Sequence, residues 1–383
     1  MTLGALALAL AAAAAPRAQP GACAPDHGGF PASDWPNVVA EVRSARGPEI
    51  AALERYAFTL AEPDSARRGI RTDGLVIVHR GQVTYERYGR GFGPGTRHLA
   101  WSVTKSVTSA LAGAVALEGA VAPGDSICVH VSNAPRRHCG ITVQHLLEYA
   151  SGLDWTESYE HRAHQASSVL AMLYGVGRRD MAAFALGHDA RAAPGAQWAY
   201  SSGDAAILSA VLGAASAPRF GDDWPWKLLF DRIGMTSAAF ERDPAGTYVG
   251  SSHLYATPRD LARVGWLYLS DGCWAGARIL PEGWIASSTA VSAPLRRGSP
   301  FRKPPDVTGW GWWLNRAVPE LGVGAPWPDV PEDAFYAQGH WGQLLVVIPS
   351  LEMVIVRAGD DREEDALVQA HLVRLAIAAG RLP

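Results

Sequence analysis

Segments with the composition of β-strands occur near both ends of this chain, and segments with a helical pattern lie between them. Near the start, β-branched and aromatic residues flank Arg80-Gly81, so residues 75–88 are predicted to form a hairpin. Beyond about residue 305, four runs of strand composition are separated by Gly and Pro: GWGWWLN, AFYAQGH, GQLLVVIP and EMVIVRAG. Pairing strands from both termini predicts an antiparallel sheet flanked by helices, with an α-rich lobe inserted. The fold class is therefore α+β, and a functional cleft is expected between sheet and lobe.

The central stretch contains several segments with a helical apolar stripe. In the first of them, Val103, Val107 and Leu111 recur at helical spacing, which places Ser102 and Lys105 on one face of its first turn. Capping residues and apolar content predict helices over about 102–119, over 142–151, from residue 203 onward, over about 257–272 and over roughly 362–379. The middle of the chain is therefore mostly helical.

Composition limits the kind of partner that this protein can have. The chain has 383 residues, of which 48% are hydrophobic and 19% are charged, so it can bury one large core or two smaller ones. Its formal net charge is −3, without a long run of one sign, which excludes the basic surface expected for nucleic acid or an anionic membrane. A small neutral molecule is a better match as substrate. The oligomeric state is left open.

The first residues have the pattern of an export signal. MTLGALALALAAAAA is an apolar run of signal-peptide length, too short to cross a bilayer stably, and it is followed by small residues. Residues 1–24 are therefore predicted to be a signal peptide, cleaved between about Ala15 and Ala24, and the protein to be periplasmic or secreted. Cys23 in PGAC offers a lipoprotein signal as the alternative, although Pro20 occupies a position where such signals favour an aliphatic residue.

The chain has four cysteines, at positions 23, 128, 139 and 273. Outside the cytosol, Cys128 and Cys139 could close a short loop as a disulfide; otherwise they are two buried thiols. No pair has CxxC spacing, so a structural zinc site is not expected.

A lysine stands three residues after a serine in WSVTKS, residues 101–106. Only three of the chain's 34 Lys and Arg residues are lysines, at positions 105, 227 and 303. Where a permanent cation suffices this chain has arginine, whereas a buried lysine can lose its proton and act as a base. Lys105 is therefore a candidate to activate Ser102 as a nucleophile.

Two further segments could complete such a site. AYSSGD contains Tyr200 and Ser202, and AQGHWGQ contains His340 and Gly342 at the start of a predicted strand. In this order, SVTK, YSS and HWG resemble the three motifs of the serine β-lactamase and penicillin-binding-protein superfamily. HLLEYASGLDW, ATPRDLARVGWLYL and GARILPEGWI resemble its helical-lobe signatures, so the similarity spans roughly residues 70–380. Within the superfamily the chain most resembles class-C-like esterases and 6-aminohexanoate-dimer hydrolases.

The resemblance implies a role for each matched residue. Ser102 is the expected nucleophile, Lys105 and Tyr200 relay its proton, and Ser202 orients that pair. The backbone N–H groups of Ser102 and Gln343, the latter following Gly342, are expected to form the oxyanion hole. Which of Lys105 and Tyr200 first accepts the proton is left open.

The resemblance also implies an overall organisation, and no cofactor is expected. One β-lactamase/transpeptidase-like domain is expected over 25–383, with its sheet lobe over about 25–98 and 301–383 and its helical lobe over about 99–300. A metal is not expected, because His161 and His164 with Glu157 lack any standard ligand spacing.

Two positions depart from the antibiotic hydrolases of this superfamily. Ser202 stands where they usually carry Asn, and His340 stands where they usually carry Lys. A histidine is mostly neutral at pH 7, so it anchors a substrate carboxylate less well than an ammonium does. If His340 has an ordinary pKa, lowering the pH from 8.5 to 5.5 should favour carboxylate-bearing substrates.

The sequence therefore predicts an exported serine hydrolase that cleaves an ester or amide through an acyl-enzyme. The alternatives are a β-lactamase or D,D-peptidase-like activity, or a non-catalytic peptidoglycan-binding or sensor protein. Tyr159 lies where the dimer hydrolases carry a tyrosine that closes over the scissile amide, or it is a surface aromatic. Trp310, Trp312 and Trp313 are predicted to be core or cleft wall. The chain has no GxSxG motif, which excludes an α/β-hydrolase elbow.

Overall fold

The computed structural model describes residues 23, 30–31, 34–159, 167–297, 306–363 and 365–383. The strands are β1 Thr72–His79, β2 Gln82–Tyr88, β3 His98–Leu99, β4 Ala239–Phe240, β5 Leu254–Ala256, β6 Cys273–Trp274, β7 Ala277–Arg278, β8 Trp313–Leu314, β9 Phe335–Gly339, β10 Gln343–Ile348 and β11 Met353–Gly359. The helices are α1 Val39–Ala45, α2 Gly47–Phe58, α3 Val103–Leu117, α4 Ile127–His130, α5 Val143–Leu147, α6 Ser168–Tyr174, α7 Met181–Leu186, α8 Ser202–Phe220, α9 Pro258–Leu269, α10 Trp284–Ser288, α11 Ala293–Arg297 and α12 Gln369–Gly380.

The main sheet joins the two ends of the chain. Its strand order is β2-β1-β11-β10-β9-β8, and every neighbouring pair is antiparallel. Leu75, Val76 and Ile77 of β1 are fully buried, as are Val354 and Ile355 of β11. Such continuous burial requires a layer of helices on each face of these central strands. The α+β architecture predicted from the sequence is therefore confirmed.

The helical layers come from different parts of the chain. Helices α2 and α12 contact one another and cover the sheet beside β1, while α9 packs on β1, β10 and β11. Helix α9 belongs to the stretch predicted as helical lobe, so the chain returns to the sheet well before residue 301. Helix α3 contacts β9 and β10 as well as α8, which in turn packs against α5 and α7. Helix α3 therefore joins the sheet to the inserted helices, and the predicted nucleophile lies at its beginning.

Two helices differ from the prediction. Helix α5 starts at the predicted capping residue Thr142, whose side chain accepts from the His145 N–H, but it ends at Leu147. It cannot continue to residue 151, because Tyr149 has a left-handed backbone with φ of 54°. The last helix starts at Gln369 rather than near 362. There the Asp361 carboxylate accepts the Arg71 N–H at 2.6 Å, which holds the chain against the sheet instead.

Two disulfides bond pairs of cysteines that are distant or close in sequence. Cys128 is bonded to Cys139, as one of the two alternatives from the sequence expects, and Cys23 is bonded to Cys273. Phe30 and Trp35 pack near the second disulfide against Trp274, with ring centroids 5.1 and 6.5 Å away. Among the described residues, no helix combines the length and the apolar character that crossing a membrane requires. The greater part of the predicted signal peptide lies outside the described residues.

Candidate functional site

Ser102 stands at the junction between a strained turn and helix α3. The preceding Trp101 has φ of 48°, a left-handed conformation that is unusual for a bulky side chain. The Val103 and Thr104 N–H groups donate to the carbonyls of Ala100 and Trp101, which closes the turn into the helix. The Ser102 N–H and side chain therefore lie at the positive end of a buried 15-residue helix.

Lys105 is held against Ser102 by burial and by two hydrogen bonds. Its Nζ donates to Ser102 Oγ at 3.0 Å and to the Ser251 carbonyl at 2.8 Å. Only 3% of the residue is exposed. Burial lowers the pKa of Lys105 to about 8, while the negative charge of Glu157 acts in the opposite direction. A substantial fraction of this lysine is therefore neutral at mildly alkaline pH, and it can accept a proton.

Tyr200 completes the cluster around the Ser102 hydroxyl. Its hydroxyl lies next to the Ser102 side chain, and its ring packs on Tyr149 at 4.9 Å and on Trp313 at 5.1 Å. The Lys105 Nζ lies 4.9 Å from the centroid of this ring. Burial raises the pKa of Tyr200 well above its usual value, so the phenol stays protonated at neutral pH. Lys105 rather than a phenolate is thus the available base.

The turn between β9 and β10 brings the third motif to the same place. A Cβ on Gly339 would lie 2.5 Å from the Ala100 carbonyl oxygen, so only glycine permits this close approach to the Ser102 turn. Trp341 and Gly342 have φ of 60° and 86°. Both predicted oxyanion donors, Ser102 and Gln343, therefore directly follow residues with left-handed backbone.

The start of β10 is fixed by a buried polar network. The side chain of Gln343 donates to the Gly359 carbonyl at 2.6 Å and accepts the Gly359 N–H at 3.2 Å. The Gly342 carbonyl accepts from the Arg357 guanidinium at 2.7 Å, and that guanidinium forms a bidentate ion pair with Asp361, both contacts at 2.8 Å. These contacts hold Gln343 and Gly342 in register with β11. No pattern in the sequence indicates this role of Arg357.

His340 lies in an aromatic group beside the predicted nucleophile. Its ring stacks on Tyr159, with centroids 4.9 Å apart and planes at 24°, and it meets the Trp101 ring edge-on at 5.3 Å. Burial, with a smaller contribution from the Arg362 charge, lowers the pKa of His340 to about 4. The expectation of an ordinary pKa is therefore wrong, because the imidazole stays neutral from pH 5.5 to 8.5.

Tyr159 is part of this site and not an isolated surface aromatic. Besides stacking on His340, its ring lies 6.4 Å from that of Trp101 in an edge-on arrangement. Its hydroxyl is buried, and burial raises the pKa of Tyr159 well above the usual value. The surface alternative from the sequence is thus wrong for this residue, and its closure over a substrate stays a prediction.

Ser202 has a different partner from the one expected. Its hydroxyl donates to Glu157 Oε1 at 2.6 Å, and its backbone N–H donates to Glu157 Oε2 at 2.9 Å. The Ser202 side chain is therefore engaged with this carboxylate, and its role in orienting Lys105 and Tyr200 stays a prediction. Glu157 was considered in the sequence only as a metal ligand, and nothing in its local context indicates that it meets α8.

The remaining sequence candidates are scaffold or lie outside the described residues. Trp312 packs on Tyr268 at 4.6 Å, Trp310 on Trp284 at 5.1 Å and Trp313 on Tyr200, so their prediction as core and cleft wall is confirmed. His161 and His164 lie outside the described residues. Within the described residues, no cluster of His, Cys, Asp and Glu has the geometry of a metal site.

Comparison with known proteins supports membership of the serine β-lactamase and penicillin-binding-protein superfamily. A family model named Beta-lactamase matches residues 58–378. The 6-aminohexanoate-dimer hydrolase of Paenarthrobacter ureafaciens is 26% identical over 244 residues, which are 62% of this chain and 62% of that protein. The chain thus aligns with less than two thirds of this curated relative.

Solved structures share the fold at low sequence identity. The candidate 6-aminohexanoate-dimer hydrolase of Bacillus anthracis superposes with a TM-score of 0.65 and 23% identity, covering 81% of this chain and 79% of the other. A family VIII carboxylesterase superposes with a TM-score of 0.60 and 17% identity, covering 89% and 96% of the two chains. Together with the motifs and the family match, these similarities show that the chain belongs to the Beta-lactamase family and has its α+β fold.

Proposed function

We propose that this protein is a serine hydrolase that cleaves ester or amide bonds through an acyl-enzyme on Ser102. The observation that carries the proposal is the 3.0 Å contact between Lys105 Nζ and Ser102 Oγ, made by a lysine whose burial lowers its pKa to about 8. A nucleophilic serine needs such a base within hydrogen-bond reach. The motifs, the family and the curated relative support the same chemistry.

The proposed reaction uses the site residues in two half-reactions. Neutral Lys105 takes the Ser102 proton as Oγ attacks the carbonyl carbon, and the N–H groups of Ser102 and Gln343 stabilise the tetrahedral oxyanion. Tyr200, a protonated phenol beside Ser102, is placed to pass a proton to the departing alcohol or amine. Tyr200 then regains its proton from Lys105, which leaves the lysine neutral before a water molecule attacks the acyl carbon. Lys105 takes the water proton and returns it to Ser102 Oγ as the acyl–oxygen bond breaks and the acid product leaves.

The character of the cleft favours a substrate without a carboxylate next to the scissile bond. His340 is neutral above about pH 4, and around it lie the rings of Trp101, Tyr159 and Trp341. An ammonium at this position would give a charge-assisted bond to a carboxylate, worth about 1.5–3 kcal/mol, which a neutral imidazole does not supply. Linear esters or amides without a carboxylate beside the scissile bond are therefore the proposed substrates. The similarity to a protein named 6-aminohexanoate-dimer hydrolase supports a linear amide.

We also propose that the protein acts outside the cytosol after removal of a signal peptide upstream of Cys23. Disulfides form and persist in oxidising compartments, and all four cysteines of the chain are paired in disulfides. Because the Cys23 sulfur is bonded to Cys273, it is not available for a lipid thioether. Secretion with an intact Cys23 is thus favoured over lipoprotein anchoring, and the N-terminal sequence of the exported protein tests this.

Reaction with a fluorophosphonate tests the proposed nucleophile. One sample of the purified protein is incubated with the probe and its intact mass is measured beside that of Ser102→Ala. A second, untreated sample is assayed for turnover of an activated ester. A single adduct on the wild type, absent in the variant, together with ester turnover is the expected result. An unlabelled wild type would contradict the proposal. A labelled wild type without turnover would favour the sensor alternative.

A further inference from the structure

Glu157 lies outside the three motifs, yet its carboxylate is bonded to one of them. It accepts the Ser202 hydroxyl at 2.6 Å, the Ser202 N–H at 2.9 Å and the Trp155 indole N–H at 2.6 Å. Ser202 is fully buried and is the first residue of α8. Three short bonds from rigid donors fix this carboxylate in place, and charge-assisted bonds of this kind are the strong ones.

The position of Ser202 in the chain connects Glu157 to the proposed proton relay. Tyr200 lies two residues before Ser202, and it is held from the other side by the rings of Tyr149 and Trp313. The Ser202 end of α8 is therefore the anchor for the backbone that carries the Tyr200 phenol. A displacement of about 1 Å at such an anchor can slow a reaction by about a hundredfold.

The Glu157 charge also acts on the relay itself. Among the residues that the structure describes, its charge raises the pKa of the buried Lys105 against the effect of burial. The same carboxylate acts on Tyr149, Tyr159, Tyr200 and Asp204, which face it from the neighbouring elements. Asp204 accepts from the Ser151 hydroxyl at 2.6 Å, and burial raises its pKa to about 7.

We propose that Glu157 is a positioning residue that anchors Tyr200 through Ser202 and supplies the negative charge facing Lys105, so that it sets the pH range of acylation. This inference rests on the proposed function. The Ser202–Glu157 pair thereby takes the place of the Asn that antibiotic hydrolases usually carry at position 202. Neither Glu157 nor its indole partner is required to touch the substrate.

Variants at position 157 separate the charge from the positioning. Glu157→Gln removes the negative charge, so the rise of kcat/KM with pH (the acid limb of the profile) moves to lower pH. Its amide N–H₂ also faces donors on Ser202 or Trp155, so the maximal value of kcat/KM (the plateau) falls about tenfold. Glu157→Asp keeps the charge on a shorter side chain, so the limb stays in place while the plateau falls. Ser202→Ala leaves the charge and removes one bond, with the same expected pattern as Glu157→Asp.

Glu148→Gln is the matched control, because Glu148 is also buried and accepts an indole N–H, from Trp310 at 3.3 Å. The pH profile of kcat/KM for Glu148→Gln is expected to coincide with that of the wild type. Burial raises the pKa of Asp204 to about 7, so Asp204→Asn shows whether a second pH-dependent change of kcat/KM near pH 7 belongs to this residue. Fluorophosphonate labelling of the wild type is measured in the same experiment, since an unlabelled wild type contradicts the proposed function and not this inference.

The inference is overturned if fluorophosphonate labels the wild type while the pH profiles of kcat/KM for Glu157→Gln and the wild type have the same acid limb and the same plateau. If Glu157→Gln does not fold, Ser202→Ala decides: an unchanged plateau overturns the anchoring, and a plateau lowered without a shift of the limb supports it.

Discussion

Lys105 and Ser102 are hydrogen-bonded on the first turn of α3, with 3.0 Å between Nζ and Oγ. The lysine side chain is buried, and its other hydrogen-bond acceptor is the carbonyl of Ser251, which carries no charge. Burial makes the ammonium costly and outweighs the opposing effect of the Glu157 charge, so the pKa of Lys105 is lowered to about 8. This pairing accounts for a lysine at position 105 in a chain that has only three lysines among its 34 Lys and Arg residues.

The first prediction concerns the identity of this cation. Lys105→Arg keeps the positive charge but removes the group that can lose its proton, so kcat/KM is expected to fall by about a hundredfold or more. Lys227→Arg is the control, because Lys227 is half exposed and pairs with Asp223 at 2.8 Å. Steady-state hydrolysis of an activated ester measures both. Equal rates for the two variants would show that Lys105 is only a structural cation.

The second prediction concerns pH. Because burial lowers the pKa of Lys105 to about 8, the neutral base is lost as the pH falls below that value and gained as the pH rises through it. We therefore expect kcat/KM to rise from pH 6 to about pH 9 and to level off only above that, with the apparent pKa near 8. A profile flat from pH 6 to 9 at constant stability would contradict this assignment.

The third prediction concerns selectivity. With the pKa of His340 lowered to about 4, the ratio of kcat/KM for a neutral ester to that for its carboxylate-bearing analogue should be flat from pH 5.5 to 8.5. Neutral substrates should be favoured about tenfold or more, which is the value of one charge-assisted bond. His340→Lys should raise the share of the carboxylate substrate. If it does not, another residue sets the preference.

The local motifs of the site could be predicted from the sequence, whereas the contacts between side chains of different motifs could not. Ser102 and Lys105 are one helical turn apart, so their contact follows from α-helix geometry alone. Tyr200 and His340 are candidates from the residues alone, but their roles come from the resemblance. The structure brings His340 near Trp101 and Tyr200 near Ser102. Long-range tertiary contacts, and not local pattern, determine their distances.

The features that the sequence missed depend on partners far away in the chain. Glu157 meets Ser202 across 45 positions, and Arg357 bonds Gly342 and Thr72 from the interior of a strand. A charged residue in a β-strand pattern indicates an exposed face, yet Arg357 is almost fully buried because Asp361 neutralises it. The late start of α12 has the same origin, since Asp361 is bound to Arg357 and Arg71.

The fourth prediction concerns stability. The Cys128–Cys139 disulfide closes a loop across a separation of 11 residues. In the chain-entropy model such a loop contributes about 2–3 kcal/mol. The double variant Cys128→Ser, Cys139→Ser should lose about that amount in the free energy of unfolding, with kcat unchanged, since the loop is remote from Ser102 in sequence and fold. Denaturant titration measures the loss, and an unchanged midpoint would contradict the prediction.

The acyl-enzyme itself gives the most direct test of the central claim. During turnover of p-nitrophenyl acetate the reaction is quenched with acid within milliseconds, and the peptides are analysed by mass spectrometry beside those of Ser102→Ala. The account predicts an acetyl group on the peptide that contains Ser102 and a matching burst of p-nitrophenol, both absent in the variant. Steady turnover by the wild type with no acetyl group at Ser102, or undiminished turnover by Ser102→Ala, would contradict it.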